Sequence, residues 1–445
     1  MKNKTTIIVF LFILNYLYPQ SYSLENCITI ALEQKKTLLS STLGVTHATK
    51  GLKGSLSNIL PSIQATSSFG KSHFPEMESV SLNFETLSLD TIKLNHVDNY
   101  STGISLTQNL YNGGQSRNQI NQAKIVLDIA ELNERSMRIM VIQNVIKSYY
   151  GLLQVQKLLD VSVKNLEMSN QQVTFVKKQF DLGLIKKTDL LKAEVAQGQA
   201  RIDLLNLKTD LQNARRILFN DMGLQDFGQE ITATDDEWVI PNIPSSGDLL
   251  KQLENKNPSL LVAEAQKKLD LISYKIIKGI RLPSIYTSLN YSANGETTQK
   301  LIEAIDDNWS FGINLYVSLP LYSGNSLTIQ QQQAKIKTMQ SDYAYITLLN
   351  DLRVQAELIR ETLTNFSEII PINRSVVESA EEDLKLVRER YSLGSTTILE
   401  VLDAQISLIR SNTNLITVVH NARIQEANLK ALLGILDTEY KIKEE

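Results

Sequence analysis

The sequence predicts a mainly α-helical fold carrying a small complement of transmembrane β-strands. Three observations predict it. Two helical runs of about 68 residues each exceed the width of most globular domains, since 1.5 Å per residue gives roughly 100 Å. Four stretches alternate apolar and polar residues with period two, and one plan of elements occurs twice along the chain.

Composition narrows the function classes before any element is placed. Of 445 residues, 21% are charged and 42% hydrophobic, with 19 Gly and 9 Pro, so the chain has the means to fold. The formal net charge of −3 gives no electrostatic case for a nucleic-acid partner. One cysteine, Cys27, and four histidines, His47, His73, His96 and His420, exclude an intrachain disulfide framework and a Cys-rich metal cluster. No metal site, cofactor or catalytic constellation is expected. The acidic pairs have no accompanying His-x-Glu spacing, and no Gly-rich phosphate loop occurs.

Lys2 and Lys4 precede an apolar run from Ile7 to Leu14, extended by Tyr16, Leu17 and Tyr18, and Pro19 follows. This pattern reads as a secretory signal peptide over residues 1–23, with Ser21 and Ser23 as the small residues before a cut at Leu24. Glu25 and Asn26 argue against lipidation of Cys27, which reads as a buried apolar residue. No later stretch has 18 consecutive apolar residues, so any membrane passage must be through β-structure.

Duplication organises the remainder. At an offset of 211, Tyr111-Asn112-Gly113-Gly114 comes near Tyr322-Ser323-Gly324-Asn325, Phe180-Asp181-Leu182-Gly183 meets Tyr391-Ser392-Leu393-Gly394, and Met222-Gly223-Leu224 meets Leu433-Gly434-Ile435. Leu60-Pro61-Ser62-Ile63 and Leu282-Pro283-Ser284-Ile285 pair at 222, so the second copy is shorter between its landmarks. The reading is a first repeat over 24–224, a linker over 225–247, a second repeat over 248–436 and a tail over 437–445.

Within each repeat the elements follow in order. Residues 24–60 and 246–282 read as helices that stop before a proline. Strands are expected at Ile63–Phe69, Tyr100–Leu110, Ile285–Ala293 and Trp309–Leu321, the last alternating over 13 residues. Four strands cannot close a membrane barrel, and open edges are not tolerated in lipid, so several chains must contribute. Long helices follow over Gln115–Leu182 and Ser326–Leu393, with Ile125, Leu132, Ile139, Ile146 and Leu153 at heptad spacing. A kink or break is expected at Pro371. Each long helix ends in Leu-Gly, where glycine supplies the left-handed backbone of a helix end. A return helix then begins, capped by Thr188 in one copy and by Thr396 or Thr397 in the other. Leu204, Leu207, Leu211 and Leu218 match Leu415, Val418, Ala422 and Leu429 as an apolar stripe on the return helices.

In element order, duplication and turn sequences, nearly the whole mature chain resembles the TolC-like outer-membrane factor (outer-membrane efflux protein) family. The most specific segment runs Tyr391-Ser392-Leu393-Gly394-Ser395-Thr396-Thr397-Ile398-Leu399-Glu400-Val401-Leu402-Asp403-Ala404, with a first-copy counterpart from Phe180 to Asp189. The resemblance implies a homotrimer whose 12-stranded outer-membrane barrel continues as a periplasmic α-helical tunnel. Such a trimer is a passive exit duct of a Gram-negative bacterium, in contact with outer-membrane lipid. It works through a periplasmic adaptor (membrane fusion protein) with an inner-membrane RND, ABC or MFS transporter, in efflux or type I secretion. The competing reading is a structural or adaptor-like periplasmic coiled coil without a channel, which has no need of a strand with one wholly apolar face.

The resemblance also assigns residues. Tyr391 and Asp189 fall on positions that hydrogen-bond between helix pairs at the closed end, and Gln172, eleven residues before Gly183, matches a further member of that network. Thr396 stands where the family pattern has an arginine, leaving Lys186 or Lys187 to replace it. Glu400 and Asp403, three apart on one helix face, become carboxylate rings at a channel constriction. The turns at Gly183, Leu184, Gly394 and Ser395 are the implied adaptor contact.

Overall fold

The computed structural model describes residues 20–83, 88–225, 231–233 and 243–440. Residues 1–19 of the segment read as a signal peptide, residues 226–230 and 234–242 of the expected linker, and residues 441–445 of the expected tail lie outside the described residues. In chain order the elements are β1 (Gln20–Tyr22), α1 (Leu24–Gln34), α2 (Lys36–Ser55), β2 (Ser62–Asn83), β3 (Ser88–Asn112), α3 (Gln115–Asp181), α4 (Lys187–Met222) and β4 (Ile231–Ala233). Then come α5 (Ser246–Lys256), α6 (Pro258–Gly279), β5 (Ser284–Gly295), α7 (Thr298–Asp306), β6 (Trp309–Ser318), α8 (Ser326–Ser392), α9 (Ile398–Leu432) and α10 (Leu436–Glu439). Two compact units result, Met1–Val45 with Ile129–Glu264 and Ala344–Glu445, and Thr46–Asp128 with Ala265–Tyr343. Each unit draws on both sequence repeats.

The second unit holds an antiparallel sheet in the order β2-β3-β5-β6. Register places Ile63, Phe69, Ile104, Leu106, Leu289, Tyr291, Phe311, Ile313, Leu315 and Val317 on one face. Ser, Thr, Asn and Gly dominate the other, as in Ser288-Asn290-Ser292 beside Ser310-Gly312-Asn314. Ile313, Leu315 and Val317 stay 67%, 65% and 65% exposed, so within one chain the apolar face has no cover. Among the described residues the outer edges of β2 and β6 have no partner strand.

Strand bounds depart from the sequence reading in both directions. β2 and β3 run to 22 and 25 residues because the hairpin continues beyond Phe69, where apolar and polar residues follow one another without a steady period of two. Cross-strand ion pairs, Lys71 with Asp98 and Lys93 with Glu78, stand opposite one another there. β6 stops at Ser318 instead of Leu321, since Pro320 has no N–H for the ladder. α7 was not expected from the alternation. Thr297 caps it by accepting from the Lys300 N–H, and the Tyr291 hydroxyl donates to the Ile305 carbonyl at 2.8 Å.

Among the described residues, the first unit is helical apart from the short parallel pair β1–β4. One core joins Cys27, Ile28 and Ala31 of α1 to Ile139, Ile146, Tyr149 and Leu153 of α3 and to Leu218, Phe219 and Met222 of α4. Another joins Leu249 and Leu253 of α5 to Leu352, Ala356 and Leu363 of α8 and to Leu429 of α9. These cores are the two repeats of one arrangement, and each fully buried Leu or Ile contributes about 1.5–3 kcal/mol. Burial pushes the Cys27 thiol up to about 12, so it stays protonated and unreactive.

Three local expectations are corrected. The helices read over 24–60 and 246–282 are each two, broken at Lys35 and at Asn257. Lys35 Nζ donates to the Asn220 carbonyl, while Asn257 accepts from the Leu260 N–H and donates to the Leu432 carbonyl, so each break seats the end of a return helix. α8 continues unbroken through Pro371, which is exposed, so that solvent can satisfy the freed carbonyl while Ile370 and Val377 pack inward. Thr188 lies inside α4, whose N-cap is Lys186 with no side-chain hydrogen bond.

Candidate channel gate

The two helical hairpins end in matched turns. Gly183 and Gly394 take φ of +74° and +72°, and each turn closes with two backbone bonds of the Schellman kind. Gly183 N–H donates to Phe180 O at 2.8 Å and Leu184 N–H to Gln179 O at 2.9 Å; Gly394 donates to Tyr391 O and Ser395 to Arg390 O at 3.0 and 2.9 Å. Leucines are left at both tips, with Leu184 70% and Leu393 82% exposed. Thr397 caps α9 by accepting from the Glu400 N–H, as expected of one of the two threonines.

Immediately behind the turns the hairpins share an apolar core of Val176, Ala193, Leu384, Val387, Tyr391, Ile398, Val401 and Ala404. Tyr391 is 7% exposed, with its ring edge-on to Phe175 at 6.0 Å. Its hydroxyl donates to Gln179 Oε1 at 3.2 Å and not to Asp189. The expected phenol–carboxylate bond is therefore absent, although Asp189 is near enough for its charge to act with burial in raising the Tyr391 pKa. The phenol is a neutral donor throughout the physiological range. Glycine-closed turns fix where α3 and α8 end, and this places Gln179 one turn earlier on the facing helix.

Other expected residues are present without their expected partners. Gln172 Nε2 and Thr396 Oγ1 are buried and make no hydrogen bond among the described residues. Lys186 and Lys187 are exposed and form no ion pair with Asp189. Glu400 and Asp403 lie together on the exposed face of α9. Sequence reasoning missed Gln179 and Arg388. Arg388 precedes Tyr391 by three on the same helix face, its Nε is buried without a partner, and desolvation lowers its pKa. A polar layer farther along was also missed. There Gln405 Nε2 donates to Asn165 Oδ1 at 2.7 Å and to Ser169 Oγ at 3.0 Å, all three residues buried. Its only advance signal was the abundance of Ser, Gln and Asn beside the heptad positions.

A sequence profile of the outer membrane efflux protein family matches residues 27–224 and 249–435. The chain belongs to the outer membrane efflux protein family. The two matched stretches are separated by residues 225–248. Among curated relatives, the outer membrane protein TolC of Salmonella enteritidis is 24% identical over 347 residues, 76% of this chain and 69% of that protein. The cation efflux system protein CusC of Escherichia coli K12 is 22% identical over 341 residues, 75% of this chain and 73% of that one. A crystal structure of a membrane protein from Pseudomonas aeruginosa superimposes with a TM-score of 0.81 at 18% identity, covering 92% of this chain and 90% of the other. This family member is an outer-membrane efflux channel, combining helical-tunnel architecture with β-barrel staves. No helix among the described residues is long and apolar enough to cross a membrane.

Proposed function

We propose that three copies close one 12-stranded barrel and one helical tunnel, forming the passive exit duct of a tripartite efflux or type I secretion system. The observation that carries this reading is the four-stranded sheet, apolar on one face, polar on the other and, among the described residues, bare at both edges. Such a sheet is stable in lipid only when its edges are covered by strands of other copies. An inner-membrane RND, ABC or MFS transporter supplies the energy, and a periplasmic adaptor docks at the turns around Leu184 and Ser395. Exposed leucines at both tips support that contact. The competing reading, an adaptor-like coiled coil, leaves the apolar strand face without a purpose.

In this reading the tips are the gate. Tyr391 bonded to Gln179 holds the two hairpins, Asp189, Gln172 and Thr396 are the further polar residues of the closed end, and the carboxylates of Glu400 and Asp403 from three copies ring the constriction. Two rings of three carboxylates attract cations and repel anions. Single-channel recording in planar bilayers tests this. The double variant Glu400→Ala/Asp403→Ala is expected to lose cation selectivity and block by divalent cations; unchanged selectivity places these residues away from the pore.

A further inference from the structure

The hairpin β2–β3 carries a pair that the channel reading does not use. Along its apolar face, Ile63–Leu106 and Phe69–Tyr100 are followed by the ion pair Lys71–Asp98 and then by His73 directly opposite His96. Both histidines are exposed, on one face, with ring centres 5.7 Å apart. Two of the chain's four histidines are thus held together across an antiparallel ladder. The register shift falls just beyond them, between His73 and Met77.

We propose that His73 and His96 form a two-imidazole chelate for a divalent late transition-metal ion, with copper(II) as its tightest ligand. A metal sits about 2.0–2.1 Å from a ligating imidazole nitrogen, hence about 3.2 Å from the ring centre. Two rings on one ion then have centres from about 4.5 Å apart at a right angle to about 6.4 Å in line. The observed 5.7 Å lies within that window, so the strand register already holds the two rings at a chelating separation. The second observation is the neighbour of His96. Its Nδ1 is 2.7 Å from Asn95 Oδ1, and a carboxamide oxygen only accepts, so Nδ1 carries the proton and Nε2 keeps its lone pair outward. A partner on the non-ligating nitrogen is the usual device that fixes the metal-binding tautomer.

Among the described residues no cluster of three or more His, Cys, Asp or Glu can hold a metal, so water completes the coordination shell. Exposure allows this. Neutral imidazole ligands suit copper, nickel and zinc, and the ordinary order of affinities places copper(II) first. The site stands on the hairpin alone and does not rest on the channel reading. Its consequence for the chain is a clip joining two strands just before the register shift.

The test uses the full chain, untagged and metal-free in detergent, titrated with copper(II) alone and followed by calorimetry and electron paramagnetic resonance. One equivalent per chain is expected, with hyperfine structure from imidazole nitrogen. His73→Ala and His96→Ala each weaken that equivalent at least 10-fold, and Asn95→Ala weakens it about 10-fold by freeing the tautomer. The control His47→Ala/His420→Ala leaves the titration unchanged. The proposal is overturned if His73→Ala/His96→Ala binds as tightly as the unaltered chain, if the control abolishes binding, or if the unaltered chain takes up no copper.

Discussion

Tyr391 shows how one side chain can serve a core and a polar contact at once. Its ring fills the apolar end where two hairpins meet, while its hydroxyl reaches Gln179 on the other hairpin. Tyr391→Phe keeps the ring and removes the donor. A loss of about 0.5–1.5 kcal/mol is expected, together with larger single-channel conductance and a shorter closed time; unchanged gating shows that the hydroxyl has no latching role. The position of Tyr391 was legible from its segment, because a Leu-Gly turn fixes the end of the helix that bears it. Its partner was not. Asp189 and Gln179 lie on either side of one turn, and choosing between them depends on how α3 and α4 rotate against α8, which local sequence does not encode. Arg388 was hidden for a different reason. A lone arginine on a long helix normally reads as solvated surface, and only the packing leaves its Nε buried without a partner.

Elements were read best where a local rule governs them. Helices α3 and α8 begin and end within a residue of expectation, since Gly-rich turns bound both. The breaks at Lys35 and Asn257 were missed because no strong breaker marks Lys35, and the proline after Asn257 is tolerated in a first helical turn. What fixes the breaks is tertiary. Gly434, at φ +68°, brings its backbone against the Lys256 carbonyl, and Arg135 Nη2 donates to the Gly434 carbonyl at 2.6 Å. Comparison of two glycines separates conformation from contact. At Gly394 an added Cβ meets nothing, so Gly394→Ala carries only the left-handed backbone cost of about 1–2 kcal/mol. At Gly434 the same atom overlaps the Lys256 backbone. Gly434→Ala is expected to lower the thermal midpoint in detergent at least twice as far. Equal shifts mean that the contact adds nothing.

At the scale of the whole molecule, fold class and the duplicated plan were legible because two periods, two and about 3.6, alternate in one order twice. The extent of the β2–β3 hairpin was not, since beyond Phe69 apolar and polar residues mix without a steady period. The sheet's two faces make a sharp contrast available. Leu315→Lys puts a charge on the apolar face, where a midplane lysine costs about 2–4 kcal/mol. Asn314→Lys puts the same charge on the polar face next door. Outer-membrane fractionation is expected to show much less assembled Leu315→Lys and near-normal Asn314→Lys; the reverse order means that the lumen and lipid faces are exchanged.

Bare strand edges at β2 and β6 also have a genetic consequence. If each copy relies on its neighbours to finish its ladder, damage to one copy is inherited by every ring it enters. With equal expression and random mixing in threes, only about one ring in eight is free of a defective subunit. Lesions at these edges should therefore behave as dominant poisons in cells that still make the intact chain, whereas the loss of one copy altogether should be recessive.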